Sequence, residues 1–279
     1  MGSLAETIFP NAHLVVPSWV IPGTYLENLR FLADKPDVQG VELLFFIYNG
    51  EIRDQLDAEW EGIRQFADRF IFTAHLPDTL LPEHEELVHR LNPLARNFIV
   101  HPGLTENAPA LGSLVNSWGK KYPPFPQSGS RDSTSSETGS PGSLPSYRTD
   151  LPVRFLVENT NPGWLDALLP YLDGDVGLCM DTGHLLMEGK PPADFFAKHR
   201  ERIGEIHLHG IDREKAALDG RLPDHRPVRA TEQWFGELFP LLKSFTGNIN
   251  LEVFSWKEVS AGTCSIKQYV NQWQKDSVV

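Results

Sequence analysis

A single (β/α)8 barrel is the fold this sequence predicts, on three observations. Short apolar runs alternate with segments whose apolar residues recur at helical spacing, and the alternation repeats eight times. The runs are nearly continuous in Val, Ile, Leu and Phe, as in parallel strands covered by helices. The chain of 279 residues has the length that eight such units need. A doubly wound open sheet is the structural alternative, but no GxGxxG or GxxxxGK[ST] turn follows any run, so nucleotide-cradling loops are not indicated.

The first run is His13 to Trp19, followed by the helical pattern "TYLENLRFLAD". Gly40 to Phe46 precedes a helix over Asp54 to Asp68. Phe70 to His75 precedes "PEHEELVHRL". Arg96 to His101 is the fourth run, and "NAPALGSLVNSWGKKYPPFP" supplies its helix. Val153 to Asn159 precedes "GWLDALLPYL", and Asp175 to Asp181 precedes "PADFFAKH". Ile203 to His209 leads into "TEQWFGELFPLLKSF". Asn248 to Phe254 leads into "CSIKQYVNQWQ". One stretch breaks the rhythm: Gln127 to Thr149 holds eight serines and almost nothing apolar. It cannot bury enough surface to order itself and reads as a disordered insertion after strand 4 of one barrel domain spanning 1–279. A rim loop tolerates such an insertion at small entropic cost.

The formal net charge of -12 disfavours long nucleic acid as a partner. Two cysteines, Cys179 in an apolar run and Cys264, do not make a disulfide framework, which suits a reducing compartment. The N-terminal residues lack the basic start and long apolar stretch of a signal peptide, and no run reaches the length of a membrane span. The expectation is a cytoplasmic protein with no membrane partner; oligomeric state is not predicted.

The chemistry sits at the strand ends. His75 ends the third run and His101 the fourth; the fifth carries Glu158. The sixth ends at Asp181, with His184 in "DTGH". The seventh carries His207 and His209, and the next loop holds Asp224 and His225. The eighth carries Glu252, and the second Glu42. Six of the ten histidines thus fall at strand ends or in the loops that follow. In a barrel those ends converge on one mouth. Neutral imidazoles and carboxylates together suit Zn, Mn or Fe, and this many ligands could house two or three divalent ions. Each residue also has a plainer reading: a buried strand histidine is more often a hydrogen-bonded core residue, Glu42 could pair at the floor, and Asp181 could be a helix N-cap. Independent core histidines would not all fall at the same end of their strands. His13, His84, His89 and His199, at a strand start or in helices, read as surface or structural. Of the seventh strand's pair, His207 is expected to bind metal and His209 to touch a substrate phosphate or a carboxylate that supports the ligands.

A metal pair or trio stabilises the attacking and leaving oxygens of a phosphoryl transfer, whereas one metal polarising a sugar carbonyl serves an isomerase or epimerase. Ligand number separates them. Glu158, Asp181, His207 and Glu252 suffice for one metal; His75, His101, Asp224 and His225 are then surplus. A multinuclear hydrolytic site uses them all, with Glu158 and Glu252 bridging metals or orienting the nucleophile.

The strand-end pattern resembles the xylose-isomerase-like TIM-barrel superfamily, and within it the endonuclease IV branch. That branch places His on strands 3 and 4, Glu on strand 5, D-x-x-H after strand 6, His on strand 7, D-x-H in the next loop and Glu on strand 8. The departure is the loop element, where Asp224 and His225 are adjacent. A closer resemblance lies in "PSWVIPGTYLENLRFLADKPDVQGVELLFF", "VENTNPGWLDALL", "DTGHLLMEG", "IHLHGID" and "LEVFSW", which are similar to the cobamide-remodelling phosphodiesterase family, CbiR. The resemblance implies hydrolysis of the nucleotide-loop phosphodiester of adenosylated cobamides, giving a cobinamide phosphate and the lower-ligand nucleoside. Trp19, Tyr25, Trp164 and Trp256 could then line a site for the corrin ring, with Glu42 as a polar group on the rim or behind the ligands. An abasic-site endonuclease and a non-catalytic corrinoid-binding barrel are the remaining alternatives.

Overall fold

The computed structural model describes residues 8–122, 154–212, 224–229 and 231–276. The serine-rich stretch 127–149 lies outside the described residues. Eight parallel strands, β1 to β8, close into a barrel in strict sequence order. They are His13–Pro17, Gly40–Leu44, Ile71–His75, Ala95–Val100, Phe155–Glu158, Gly177–Asp181, Ile203–His207 and Asn248–Asn250. The ring closes where His13, Leu14 and Val15 pair with Asn248, Ile249 and Asn250.

Each strand is followed by helix. In order these are α1 (Tyr25–Ala33), α2 (Gly50–Arg64), α3 (Glu85–Leu91), α4 (Ala108–Lys121), α5 (Pro162–Leu168), α6 (Thr182–Met187), α7 (Pro192–His199), α8 (Gln233–Leu242) and α9 (Trp256–Asp276). Their starts follow local hydrogen bonding. Thr24 and Glu27 form a capping box at α1. The sequence reading placed α2 from Asp54, but the Asn49 side chain accepts the Ile52 amide and starts the helix four residues earlier. It placed the last helix from Cys264; the Ser255 hydroxyl, bonded both ways to Glu258, starts α9 at Trp256. The short α6 was anticipated only in the reading of Asp181 as a helix N-cap. None of the helices among the described residues is long and apolar enough to cross a membrane.

Two apolar regions result. The larger packs the outward strand residues, such as Val16, Val41, Phe72, Phe98 and Ile206, against the helices. Inside the barrel, among the described residues, Ile99, Leu156 and Cys179 form a small apolar cluster. Several other inward positions are polar: Glu42, Thr73, Glu205, Asn248 and Asn250 are all buried there. An interior of that kind costs stability unless each polar group finds a partner, and it frames the site above it.

The apolar runs read from sequence extend past the paired strands. On the seventh, Leu208 still donates to Asn250, but Gly210 pairs antiparallel with Arg226. The backbone has left the ladder there while His209 keeps the inward face of Glu205 and His207.

Candidate metal centre at the barrel mouth

Strand alternation brings His75, Glu158, Asp181 and His207 to the inner ends of β3, β5, β6 and β7, with His101 and Glu252 one or two residues past β4 and β8. Glu158 stands at the centre. Its Oε1 lies 2.7 Å from His207 Nδ1, while its Oε2 lies 2.9 Å from His101 Nε2 and 3.5 Å from His75 Nε2. One carboxylate therefore faces two groups of donors with its two oxygens. Glu252 Oε2 extends the arrangement, 3.1 Å from His207 Nδ1 and 3.6 Å from His225 Nε2. Glu158, Asp181, His207 and Glu252 offer four buried ligand atoms within 4.8 Å of one another.

The distant nitrogens explain why the near ones point inward. His75 Nδ1 donates to the Leu76 carbonyl at 2.9 Å, leaving the Nε2 lone pair toward Glu158. His101 Nδ1 faces Asp78 at 3.4 Å, leaving its Nε2 toward the same oxygen. Metal-ligating histidines are held in this manner, their outer nitrogen anchored to a carbonyl or carboxylate. Glu158 Oε2 and Glu252 Oε2 are buried with no hydrogen-bond partner. Lone pairs facing buried, unsatisfied carboxylate oxygens form a cradle for a cation, so the residues fit divalent metal of the Zn, Mn or Fe type.

The electrostatics agree. Burial opposes a charged His75, but Glu158, then Glu42 and Glu252, outweigh it and raise the group to about 9. Burial is likewise overcome at His225, which Asp224 and Glu252 lift to about 11. Burial would raise Glu158 and Glu252, yet His207 beside each holds both well below the ordinary carboxylate range. The cluster attracts positive charge, whether protons or metal. Burial pushes the Cys179 thiol well up, so it is a neutral packing group.

The structure does not gather His184, Asp224 and His225 into a third set of ligands. His184 Nε2 is 3.9 Å from Asp181, and Asp224 bonds its own neighbour, His225 Nδ1, at 3.0 Å. His225, at φ +49°, turns its ring onto His209 with centroids 4.5 Å apart. His225 accordingly joins His209 and Glu252. Residues 213–223, which lead into this loop, lie outside the described residues.

His209 is fully buried, and its Nδ1 accepts the His225 amide at 3.0 Å. The Gly210 carbonyl lies 3.2 Å from the same nitrogen, and Nε2 lies 3.0 Å from Asp181 Oδ2. Of the two expected roles, the contact with a carboxylate of the cluster is the one its geometry shows. Asp181 also accepts the His184 amide at 2.7 Å, so it is helix N-cap and cluster member at once. Gly183 makes the fit possible, since a Cβ there would overlap the His209 ring.

Several expected substrate contacts lie elsewhere. Tyr25 is buried: its ring packs on Phe45 and its hydroxyl donates at 2.8 Å to the carbonyl of Leu44, the last residue of β2. Trp256 packs edge-on against Phe31 of α1. Of the two places expected for Glu42, it takes the one behind the ligands, at 0% exposure below His207, because β2 points it into the barrel interior. Trp19 stands exposed in the loop after β1, and Trp164 is half-buried in α5. His13 and His84 are buried, His89 is exposed and His199 half-buried, all away from the cluster.

Sequence reasoning missed Asp78 and Glu205. Glu205 had a signal, two residues before His207 on the same strand face. Thr73 lies 3.2 Å from its Oε1, and the amides of Asn97 and Asn248 donate to Oε2 at 3.0 and 3.3 Å. Burial, then Glu42, raises Glu205 from 4.5 to about 7, against the opposing pull of His207 and the two amides. The neutral acid favours the fold. Its contribution is complete below about 4.5 and is lost as pH rises through 7, a cost on the order of 3 kcal/mol above that. In metal-free protein, Glu205→Gln is expected to melt roughly 5 °C above wild type at pH 8. The two should converge at pH 4.5. An equal shift at both pH values would show that Glu205 does not titrate in this window.

No known family profile matches the sequence, and no curated protein matches it. Solved structures do. A D-tagatose 3-epimerase-like protein superposes with TM-score 0.61 at 14% identity, over 95% of this chain and 99% of that one. The IolI protein with a bound zinc atom gives 0.58 at 11%, over 95% and 97%. Endonuclease IV from Thermus thermophilus gives 0.50 at 13%, over 93% and 99%. At such identities the likeness speaks to fold alone: the chain shares the (β/α)8 barrel of these structures.

Proposed function

We propose that the protein is a metal-dependent phosphodiesterase acting on the nucleotide loop of adenosylated cobamides. The observation that carries the hydrolytic reading is Glu158, whose two oxygens face separate donor groups, His207 on one side and His75 with His101 on the other. A single-metal isomerase has no use for the second group. Divalent metals held there would supply acidified water and neutralise charge on a phosphoryl group.

The chain's own residues set the rest. Glu158 and Glu252 hold the centre together from β5 and past β8. His75 and His101 fix one side of it, and Asp181, steadied by His209, closes the other. The mouth favours a substrate larger than a sugar. Among the described residues, the exposed large apolar side chains include Trp19, Ile47, Leu81, Leu104 and Phe254, all in loops that follow strands. Phe46 lies 4.7 Å from the His75 ring and Phe254 4.8 Å from the His225 ring, centroid to centroid. An apolar rim around a cationic centre suits a diester carried on a broad, partly apolar ring, and the resemblance of "PSWVIPGTY" and "HLHG" to the CbiR family names that ring as a corrin. The net charge of -12 favours such a molecule over duplex DNA.

The second reading, a sugar epimerase, has the four-residue group Glu158, Asp181, His207 and Glu252 in its favour. Mass analysis after incubation with adenosylcobalamin and Zn, Mn or Fe tests both. The expected products are a cobinamide phosphate and the lower-ligand nucleoside. His101→Ala should lower their yield by roughly 100-fold or more. Intact cobamide after long incubation with metal-loaded protein would refute the diesterase. A His101→Ala loss of only a few-fold would favour the single-metal reading.

A further inference from the structure

His207 is the one imidazole of the centre whose outer nitrogen is held from below, inside the barrel. Its Nδ1 meets Glu158 at 2.7 Å and Glu252 at 3.1 Å. Its Nε2 points the other way, 3.2 Å from Glu42 Oε2. Glu42 is in turn gripped from two more strands. Asn250 on β8 donates to its Oε1 at 3.1 Å, and the Thr73 hydroxyl on β3 lies 3.4 Å from its Oε2. Glu42, Asn250 and Thr73 are each at 0% exposure.

A buried carboxylate is an expensive way to fill a barrel interior, because an apolar side chain would avoid the desolvation cost. What Glu42 adds that Leu could not is a hydrogen-bond acceptor of fixed position below one imidazole nitrogen. An imidazole proton held on Nε2 leaves the Nδ1 lone pair directed at the carboxylates above, and a carboxylate partner makes that nitrogen a stronger donor to a cation. The three strands that hold Glu42 deny it another rotamer.

We propose that Glu42 is the positioning residue of the centre: it holds the proton of His207 on Nε2, so that Nδ1 is presented as a ligand between Glu158 and Glu252. This rests on the metal reading above and names a residue that touches neither substrate nor metal. A purely structural Glu42 would also be worth keeping, but it would affect melting and leave the ligand nitrogen and the metal affinity alone.

The test uses zinc and the full chain. In zinc-loaded, 15N-histidine-labelled wild type, the His207 proton is expected on Nε2 and coordination on Nδ1. Glu42→Gln keeps the volume, yet its amide can donate to Nε2 and favour the opposite tautomer. Its zinc affinity, read by chelator competition, should fall about 10- to 100-fold. Glu42→Asp, still a carboxylate, should recover part of it. A wild-type His207 that coordinates through Nε2 overturns the proposal, and this measurement stands even if Glu42→Gln does not fold. Affinity within twofold of wild type in folded Glu42→Gln overturns it as well. Those outcomes leave the metal reading intact, whereas a wild type that binds no zinc at all would remove both.

Discussion

Glu158→Ala is expected to empty the centre rather than weaken it. Both carboxylate oxygens are in use, Oε1 toward His207 and Oε2 toward His75 and His101. Removing them takes a ligand from two donor groups at once. Turnover in the proposed diesterase reaction should fall by roughly 1000-fold or more, and the metal content should drop by more than one equivalent per chain. Melting should suffer less, because the substitution also removes a buried charge whose partners are imidazoles. The comparison that checks this is Asp78→Ala. That side chain is half exposed and meets only the outer nitrogen of His101. Its loss should cost about 10- to 100-fold in metal affinity at most. If Glu158→Ala keeps its full metal content, Glu158 is not the residue that would hold metal between the two donor groups.

Gly183→Ala is the second substitution expected to have a large effect, though it removes nothing. A Cβ at this position would overlap Cε1 and Nδ1 of His209. The ring has no room to retreat. Nε2 meets Asp181 at 3.0 Å, Nδ1 accepts the His225 amide at 3.0 Å, and the His225 ring stacks over it. Its backbone is pinned too, with the amide donating to the Thr182 hydroxyl and the carbonyl accepting from it. The added methyl should destabilise the fold by about 1–3 kcal/mol and displace His209 from Asp181. The double variant Gly183→Ala/His209→Ala isolates the cause. Without the imidazole the clash disappears, so melting should recover toward that of His209→Ala while activity stays low. Strictly additive losses in the double variant would show that the two residues do not press on each other.

These two positions also show what was legible in the chain. Strand alternation and the barrel rule gave the strand-end set, because a histidine or carboxylate at the last inward position of a parallel strand has only one place to go. His75, His101, Glu158, Asp181, His207 and Glu252 meet on that account. Periodicity could not give the interactions that depend on packing depth. Glu42 read as a polar group on the rim or behind the ligands, and periodicity could not choose between the two; its depth below His207 decides for the second. Tyr25 read as a mouth aromatic because a sequence does not show which side of a helix start is covered. Glu205 was visible only as one more inward residue below two histidines. The role of Gly183 was hidden because the ring it accommodates lies 26 positions away in sequence. The departure from D-x-H was visible as the adjacency of Asp224 and His225; that His225 groups with His209 and Glu252 was not.

The account turns on a centre that holds more than one metal around Glu158. Elemental analysis of the purified full-length chain, reconstituted with zinc and freed of loosely bound ions, counts them directly. Two or more equivalents per chain, falling by more than one in Glu158→Ala, is the predicted result. A wild type that saturates at one equivalent, undisturbed by His101→Ala, would contradict it.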